Sequence, residues 1–272
     1  ISPTRTVVID KTFPTVSILL PSVYFYLNSS NQFSFSVSGR CSDIGRDVVL
    51  TGIGPAPSAS ITTTANCQGT TSGSYSASMD LQTLPNNSGV TITADLTNAV
   101  GRAAFPFSIG GWKDTTLPTV SITSPAAGSY ISKANRSSFA VAGECSENGN
   151  LVTFAGAASG STTCTGGHFL KSLDMSSVAD SSSVTIAVDH QDVAHNPATQ
   201  DTRSFKKDTL APSFTLTNPI ADFPINNANV ASVNFSGSCS DNNENIVFNI
   251  PGFTARFTDE AEYCTPSDPN PP

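Results

Sequence analysis

Apolar positions along this chain recur at a spacing of two. Val90-Thr-Ile92-Thr-Ala94 and Val184-Thr-Ile186-Ala-Val188 alternate apolar and small or polar residues, the period of a half-buried strand rather than of a helix. Phe33, Phe35, Val37 and Cys41 share one parity, as do Phe139, Val141 and Cys145, and again Val233, Phe235 and Cys239. In extended chain, equal parity means a common face, so each cysteine is expected inward beside the aromatics. Seven residues beyond each cysteine stands Val48, Val152 or Ile246, and two further on Leu50, Phe154 or Phe248. These are the inward positions of a following strand.

The same pattern therefore occurs three times. Asp10-Lys-Thr-Phe-Pro14, Asp114-Thr-Thr-Leu-Pro118 and Asp208-Thr-Leu-Ala-Pro212 each precede an alternating strand, carried by Val16/Ile18, Val120/Ile122 and Phe214/Leu216. Cys41 and Cys145 are 104 residues apart, Cys145 and Cys239 94 apart; Leu81/Met175 and Val90/Val184 also differ by 94. The first copy thus carries about ten extra residues between Cys41 and Leu81, around Gly52–Pro57 and Gly69–Gly73, where Pro and Gly mark loops that tolerate insertion. A period this long describes whole domains in tandem, not a solenoid of small repeats. About seven short strands per copy, separated by turn residues, is the pattern of a β-sandwich. The expected division is a closing strand of a preceding repeat at 1–9, one domain at 10–113, a second at 114–207 and a third at 208–272. Arg5–Asp10 matches Arg203–Asp208, which closes the second copy. The third copy lacks counterparts of Phe169–Met175, Val184–Val188 and Arg203–Lys207, so the segment reads as part of a longer array with its last copy incomplete.

Composition narrows the functional classes. Charged residues make up 12% of the chain and the formal charge is −8, which argues against neutralising nucleic-acid phosphates. No apolar run approaches the 18 or so residues of a membrane-spanning helix, and the residue mix of a coiled coil is missing. The six cysteines fall two to a copy. One domain per pair gives Cys41–Cys67, Cys145–Cys164 and Cys239–Cys264, each tying a strand to a nearby hairpin. In the chain-entropy account, loops of this length contribute roughly 3 kcal/mol each. That is substantial for small sandwiches of polar residues, and it places the chain in an oxidising compartment. Zinc is disfavoured, because no C-x-x-C occurs and no histidine flanks a cysteine.

Asp114-Thr-Thr-Leu-Pro-Thr-Val-Ser-Ile-Thr-Ser-Pro125, Gly143-Glu-Cys-Ser-Glu-Asn-Gly149 and Asp192-Val-Ala-His-Asn196 resemble the bacterial Ig-like repeats of large surface proteins and adhesins, over nearly the whole chain. The resemblance implies all-β, Greek-key immunoglobulin-like sandwiches serving as an extracellular or cell-surface stalk or adhesive module. Their partners would be the neighbouring repeats and, at the adhesive end, a host-cell, glycan or matrix ligand. It also implies possible Ca²⁺ near domain junctions, held by carboxylates of the linker and of the loop before the last strand. The matching residues are Asp192, Asn196 and Asp208, with Asp114 in the preceding linker. The first copy departs from this pattern, with Asn98 where the acidic residue belongs, and position 195 is His where Gly is usual.

No enzymatic motif competes with this reading. Neither a G-x-S-x-G elbow, a phosphate-binding loop nor H-E-x-x-H is present. His190 and His195 lie near Asp189 and Asp192 but have no match in the first copy, and together with His168 they are expected in exposed turns or at a strand start. Asp80 and Asp174 recur just before Leu81 and Met175 and are expected as solvated residues or local caps. Trp112, the single tryptophan, is expected to pack at the first junction; a sugar-stacking role is the less favoured alternative. The expectation is a non-enzymatic module with no required cofactor. The rivals are a spacer region of a secreted hydrolase and a carbohydrate-binding module, the latter requiring several clustered exposed aromatics.

Overall fold

The computed structural model describes residues 9–58, 60–219, 221–229, 231 and 233–240. The chain falls into two compact units that divide between Lys207 and Asp208. Within the first unit, two sandwiches follow each other, and all described regular structure is β-strand.

The first sandwich comprises β1 (Val16–Leu20), β2 (Tyr24–Leu27), β3 (Phe35–Cys41), β4 (Asp47–Ile53), β5 (Ile61–Asn66), β6 (Gly73–Met79), β7 (Ser88–Leu96) and β8 (Phe107–Lys113). Its three-stranded sheet runs β1-β3-β6 and its five-stranded sheet β2-β8-β7-β4-β5. The second sandwich repeats this with β9 (Val120–Ser124), β10 (Tyr130–Ile131), β11 (Phe139–Cys145), β12 (Leu151–Gly156), β13 (Gly160–Thr163), β14 (His168–Leu173), β15 (Ser181–His190) and β16 (Asp201–Lys207). Its sheets run β9-β11-β14 and β10-β16-β15-β12-β13. These are two facing, mostly antiparallel sheets with immunoglobulin-like connections. Each has one strand more than the sequence pattern announces. After β1 and β9 the chain meets Pro21 and Pro125, both preceded by cis peptide bonds. It then crosses to the other sheet, where β2 and β10 pair parallel with β8 and β16.

Alternation places the cores. In β3 the residues Phe35, Val37, Gly39 and Cys41 face inward, and in β4 Val48 and Leu50. The same holds for Phe139, Val141 and Cys145 and for Val152 and Phe154 in the second copy. Phe33 departs from the expected parity: it lies in the turn before β3 and is 54% exposed. The strand begins only at Phe35, so parity no longer decides which way residue 33 faces. Gly39 and Gly143 sit where β1 and β9 press closest. A Cβ at either would overlap the carbonyl of Ser17 or Ser121 and the ring of Tyr75 or Phe169.

Cys41–Cys67 and Cys145–Cys164 are disulfides. Each joins the end of the middle strand of the three-stranded sheet to the residue after β5 or β13, so the bridge ties the two sheets together. The paired cysteines stand 26 and 19 positions apart respectively, so seven of the extra residues of the first copy lie in the longer β4–β5 hairpin. The remainder lie between Cys67 and β6. In the second unit, β17 (Phe214–Asn218) pairs with β18 (Ser236–Cys239). The register Phe214↔Cys239 matches Val16↔Cys41 and Val120↔Cys145. The third expected disulfide involves Cys264, which lies outside the described residues, as do residues 1–8 of the expected closing strand.

Candidate functional site: the seam between the first two sandwiches

Each repeat opens on an aspartate that folds its own linker. Asp10 Oδ1 accepts from the backbone N–H of Thr12 at 2.9 Å and its hydroxyl at 2.6 Å. Asp114 Oδ1 accepts from Thr116 N–H at 2.9 Å, and Asp208 Oδ1 from Leu210 N–H at 3.0 Å. These are Asx-turns, which a short carboxylate closes two residues on. Hydrogen bonds from the Thr12 side chain and then its backbone hold the Asp10 carboxyl below the ordinary value.

The linker after the first sandwich is fixed from both sides. On the first side, Asp114 N–H donates to Leu27 O at 2.9 Å. Thr115 N–H donates to Asn86 Oδ1 at 2.7 Å, and Asn86 Nδ2 donates to Thr116 Oγ1 at 3.1 Å. On the second side, Asn196 Nδ2 donates to the Asp114 carbonyl at 2.8 Å. Two bonds cross directly between the sandwiches: Ser29 N–H to Asn196 Oδ1 at 2.7 Å and Asn28 Nδ2 to Ala194 O at 2.9 Å. Asn196 is fully buried, and Asp192 braces it, Oδ1 accepting from Asn196 N–H at 2.8 Å and Oδ2 from Asn196 Nδ2 at 2.7 Å. A buried amide of this kind is stable because both its polar atoms are used.

The structure thus joins three of the four residues singled out for Ca²⁺, namely Asp192, Asn196 and Asp114, while Asp208 belongs to the second unit with its own turn. The donor set does not fit the ion. Ca²⁺ takes six to eight oxygens, several of them charged, whereas both Asp192 oxygens accept from Asn196 and Asp114 Oδ1 accepts from Thr116 N–H. The amide nitrogen of Asn196 bridges carboxylate and linker carbonyl. Among the described residues, no three of His, Cys, Asp and Glu gather into a metal-binding group.

The matching place in the first sandwich is built differently. Asn98 is buried; its Oδ1 accepts from Val100 and Arg102 N–H, and its Nδ2 donates to Asp10 Oδ2 at 3.2 Å and Thr12 O at 3.4 Å. Asn98 takes the place of Asp192, and Arg102 that of Asn196. The Arg102 guanidinium lies 4.8 Å from the centre of the Phe13 ring.

The histidines divide. His195 adopts a left-handed conformation (φ 65°) in an exposed turn, where the first copy has Gly101 at φ 84°; His168 opens β14 and is exposed. His190, however, is not in an exposed loop: it ends β15 at 2% exposure, where the first copy has the buried Leu96. Its Nδ1 lies 2.9 Å from Leu151 O and its Nε2 accepts from Glu147 N–H at 3.2 Å, so both nitrogens are committed to loop packing. Asp80 and Asp174 are local caps, to Gln82 and Ser176.

Two lysines were missed by sequence reasoning. Lys113 and Lys207, the last residues of β8 and β16, point inward and are 2% and 4% exposed. The Lys113 ammonium donates to the carbonyls of Leu81, Gln82 and Leu84 at 3.0, 2.7 and 2.9 Å. Burial pushes it below the ordinary lysine value, offset in part by Asp80. Lys207 Nζ pairs with Asp180 Oδ1 at 2.9 Å. Strand alternation does assign both lysines to the inward face, and that parity was the available signal.

No family model and no curated protein matches the sequence. Solved structures that resemble the chain include bacterial adhesin repeats and fibronectin-III modules. A 1.5-MDa bacterial ice-binding adhesin is 17% identical, over 75% of this chain and 67% of that one, with a TM-score of 0.36. A tetra-tandem repeat from the extending region of a large adhesion protein is 18% identical, over 79% and 54%, at 0.32. Fibronectin(III)-like modules of Clostridium thermocellum CbhA are 12% identical, over 72% and 95%, at 0.43. This chain therefore spans about half the length of the second of these. At such identities and TM-scores no residue role or ligand passes from them to this chain.

Proposed function

We propose that the chain is a non-catalytic extracellular segment of a bacterial surface protein, in which tandem sandwiches act as a stalk that carries an adhesive element away from the cell. The observation that supports this most is the seam. Leu27 and Asn86 of one sandwich and Asn196 of the next take up the linker 114–116 from both sides, and Asn28 and Ser29 bond directly to Ala194 and Asn196 across the seam. A linker with no slack transmits position and load, which a spacer requires and a flexible tether does not provide. An inter-sheet disulfide in each sandwich serves the same end, limiting how far a loaded domain can extend. It also agrees with an oxidising location.

The test has two parts. Intact source cells probed with antibody against residues 10–207, with and without external protease, should show an exposed, protease-sensitive epitope. Reading the gene on both sides of this segment should reveal further repeats of about 95 residues with a secretion or anchoring signal. A flanking hydrolase domain would replace the stalk with a spacer of an enzyme, and an epitope reachable only after lysis would end the extracellular reading.

A further inference from the structure

We infer that the first sandwich carries a binding platform for neutral polysaccharide, formed by Tyr24, Tyr26 and Trp112 on the outer face of its five-stranded sheet. This goes beyond the spacing role, which needs no such surface. Tyr24 and Tyr26 are outward residues of β2, and β8 presents Gly110 and Trp112 directly beside them in register, Tyr24↔Gly110 and Tyr26↔Trp112. On the far side of β8 the register continues to Thr91 and Gly89. Tyr24 is 65% and Trp112 40% exposed, with the second sandwich in place. Trp112 therefore remains open to solvent beside the seam. The Tyr24 and Tyr26 rings stand edge to face, 5.7 Å apart at 80°. At Gly110 and Gly89 there is nothing within 4 Å of where a Cβ would be, so the aromatics border a shallow open floor rather than a filled groove.

The fold does not require these aromatics. At the matching positions the second sandwich has Gly128 for Tyr24 and Lys206 for Trp112, with Tyr130 alone retained and the Lys206 ammonium 5.6 Å from its ring centre. The same sheet is thus built without the platform, whose Tyr24 and Trp112 stay exposed in the first copy. Exposed rings clustered at one place, unlike rings scattered singly, mark an interaction surface.

The chemistry of the surface selects its occupant. None of residues 24, 26, 89, 91, 110 and 112 is charged, which disfavours an anionic ligand or an ion-paired peptide. Aromatic faces carry negative charge density and attract the C–H-bearing face of a sugar ring, while the tyrosine and threonine hydroxyls can bond its hydroxyls. The size agrees. Strand spacing and rise give a floor of about 7 by 10 Å, enough for about two sugar rings. Three side chains of at most about 250 Å² each, already half buried, fall short of the roughly 800 Å² per partner of a stable protein interface. Weak single-site binding is effective when many copies act together along a polymer.

The chain provides its own reporter, because Trp112 is its only tryptophan. The 272-residue chain is run in native gels containing hydroxyethylcellulose, xylan, galactomannan or dextran, with polygalacturonate as the anionic control, and tryptophan emission is followed with the oligosaccharide of the retarding polymer. The expected result is retardation by at least one neutral polymer with a shift in Trp112 emission. Tyr24→Gly should weaken both by about tenfold, and Tyr24→Gly/Trp112→Lys, which installs the residues of the second sandwich, should abolish retardation while far-UV dichroism and melting stay unchanged. The proposal is overturned if no neutral polymer retards the chain, if only polygalacturonate does, or if the folded double variant is retarded as strongly as the parent.

Discussion

Tyr75 offers a quantitative check on how the first sandwich is packed. Its ring lies under Gly39, its hydroxyl donates to Ser17 O at 3.0 Å, and only 4% of it is exposed. Burial pushes the phenol up from 10.0 to about 12. The folded value is thus raised above the unfolded one. The folded state holds its proton longer, and stability present in full below pH 10 is lost as pH climbs toward 12. At 1.36 kcal/mol per unit, a shift of about two units corresponds to about 2.7 kcal/mol once the folded value is passed, and about 1.4 kcal/mol at pH 11. Tyr75→Phe, the residue the second sandwich has as Phe169, removes this term. At pH 7 the variant should lose about 1 kcal/mol, the worth of one hydrogen bond. Between pH 9 and 11 the wild-type chain should lose about 1.4 kcal/mol more than the variant. Urea midpoints of the first unfolding transition, taken for both proteins across that range, read the difference directly, because every other tyrosine and lysine is common to the pair. Parallel pH profiles would refute the packing of this ring; a wild type that gains stability would refute the sign.

Other expectations follow from single contacts. Lys113→Met keeps the stem but leaves the Leu81, Gln82 and Leu84 carbonyls without their donor, and should cost about 3 kcal/mol or more in the first sandwich by denaturant unfolding. Asn196→Ala removes the amide that links Ser29, Asp114 and Asp192; it should lower the second sandwich by about 2–4 kcal/mol and make the 114–117 linker a protease site, read by mass spectrometry of limited digests. Reduction or Cys→Ala replacement of each pair should cost about 3.5 kcal/mol for Cys41–Cys67 and about 3.2 kcal/mol for Cys145–Cys164, measured as separate shifts in calorimetry. Millimolar Ca²⁺ or a chelator should leave both melting transitions in place, within about 1 °C; a clear rise with Ca²⁺ would mean that Asp192 and the linker rearrange to take the ion.

The parts legible in the sequence were those fixed by local periodicity. Two-residue alternation assigned Phe35, Val37, Val48 and Leu50 inward because a strand offers a side chain only two directions. The 104- and 94-residue offsets located the repeat, and two cysteines per repeat left little choice of partner. Strands β2 and β10 escaped because they span four and two residues, too short for alternation to register. Lys113 and Lys207 had the inward parity but the wrong polarity, and what stabilises Lys113 is a set of carbonyls about thirty residues away. His190 was likewise read by its type rather than by its place in β15. The seam was half legible: Asp114, Asp192 and Asn196 were singled out together, but for a cation. That the Asn196 amide takes the bridging place depends on Asn28 and Ser29, which are brought there only by the packing of one sandwich on the next. Trp112 was expected inside that junction. Its neighbour Tyr26 could not be known until the parallel β2–β8 pairing was in hand.

The position of Asn196 in the chain also sets an order of events. It lies between β15 and β16, near the end of its own sandwich, although the linker it secures lies at that sandwich's beginning. As the polypeptide emerges from its N-terminus, the first sandwich can close and bridge its sheets while the joint ahead of it is still open. Only when the second sandwich is almost complete does its amide reach back to Asp114 and Ser29. This joint is therefore fastened by the later domain, pliant while the second sandwich is still forming and set once that sandwich has closed.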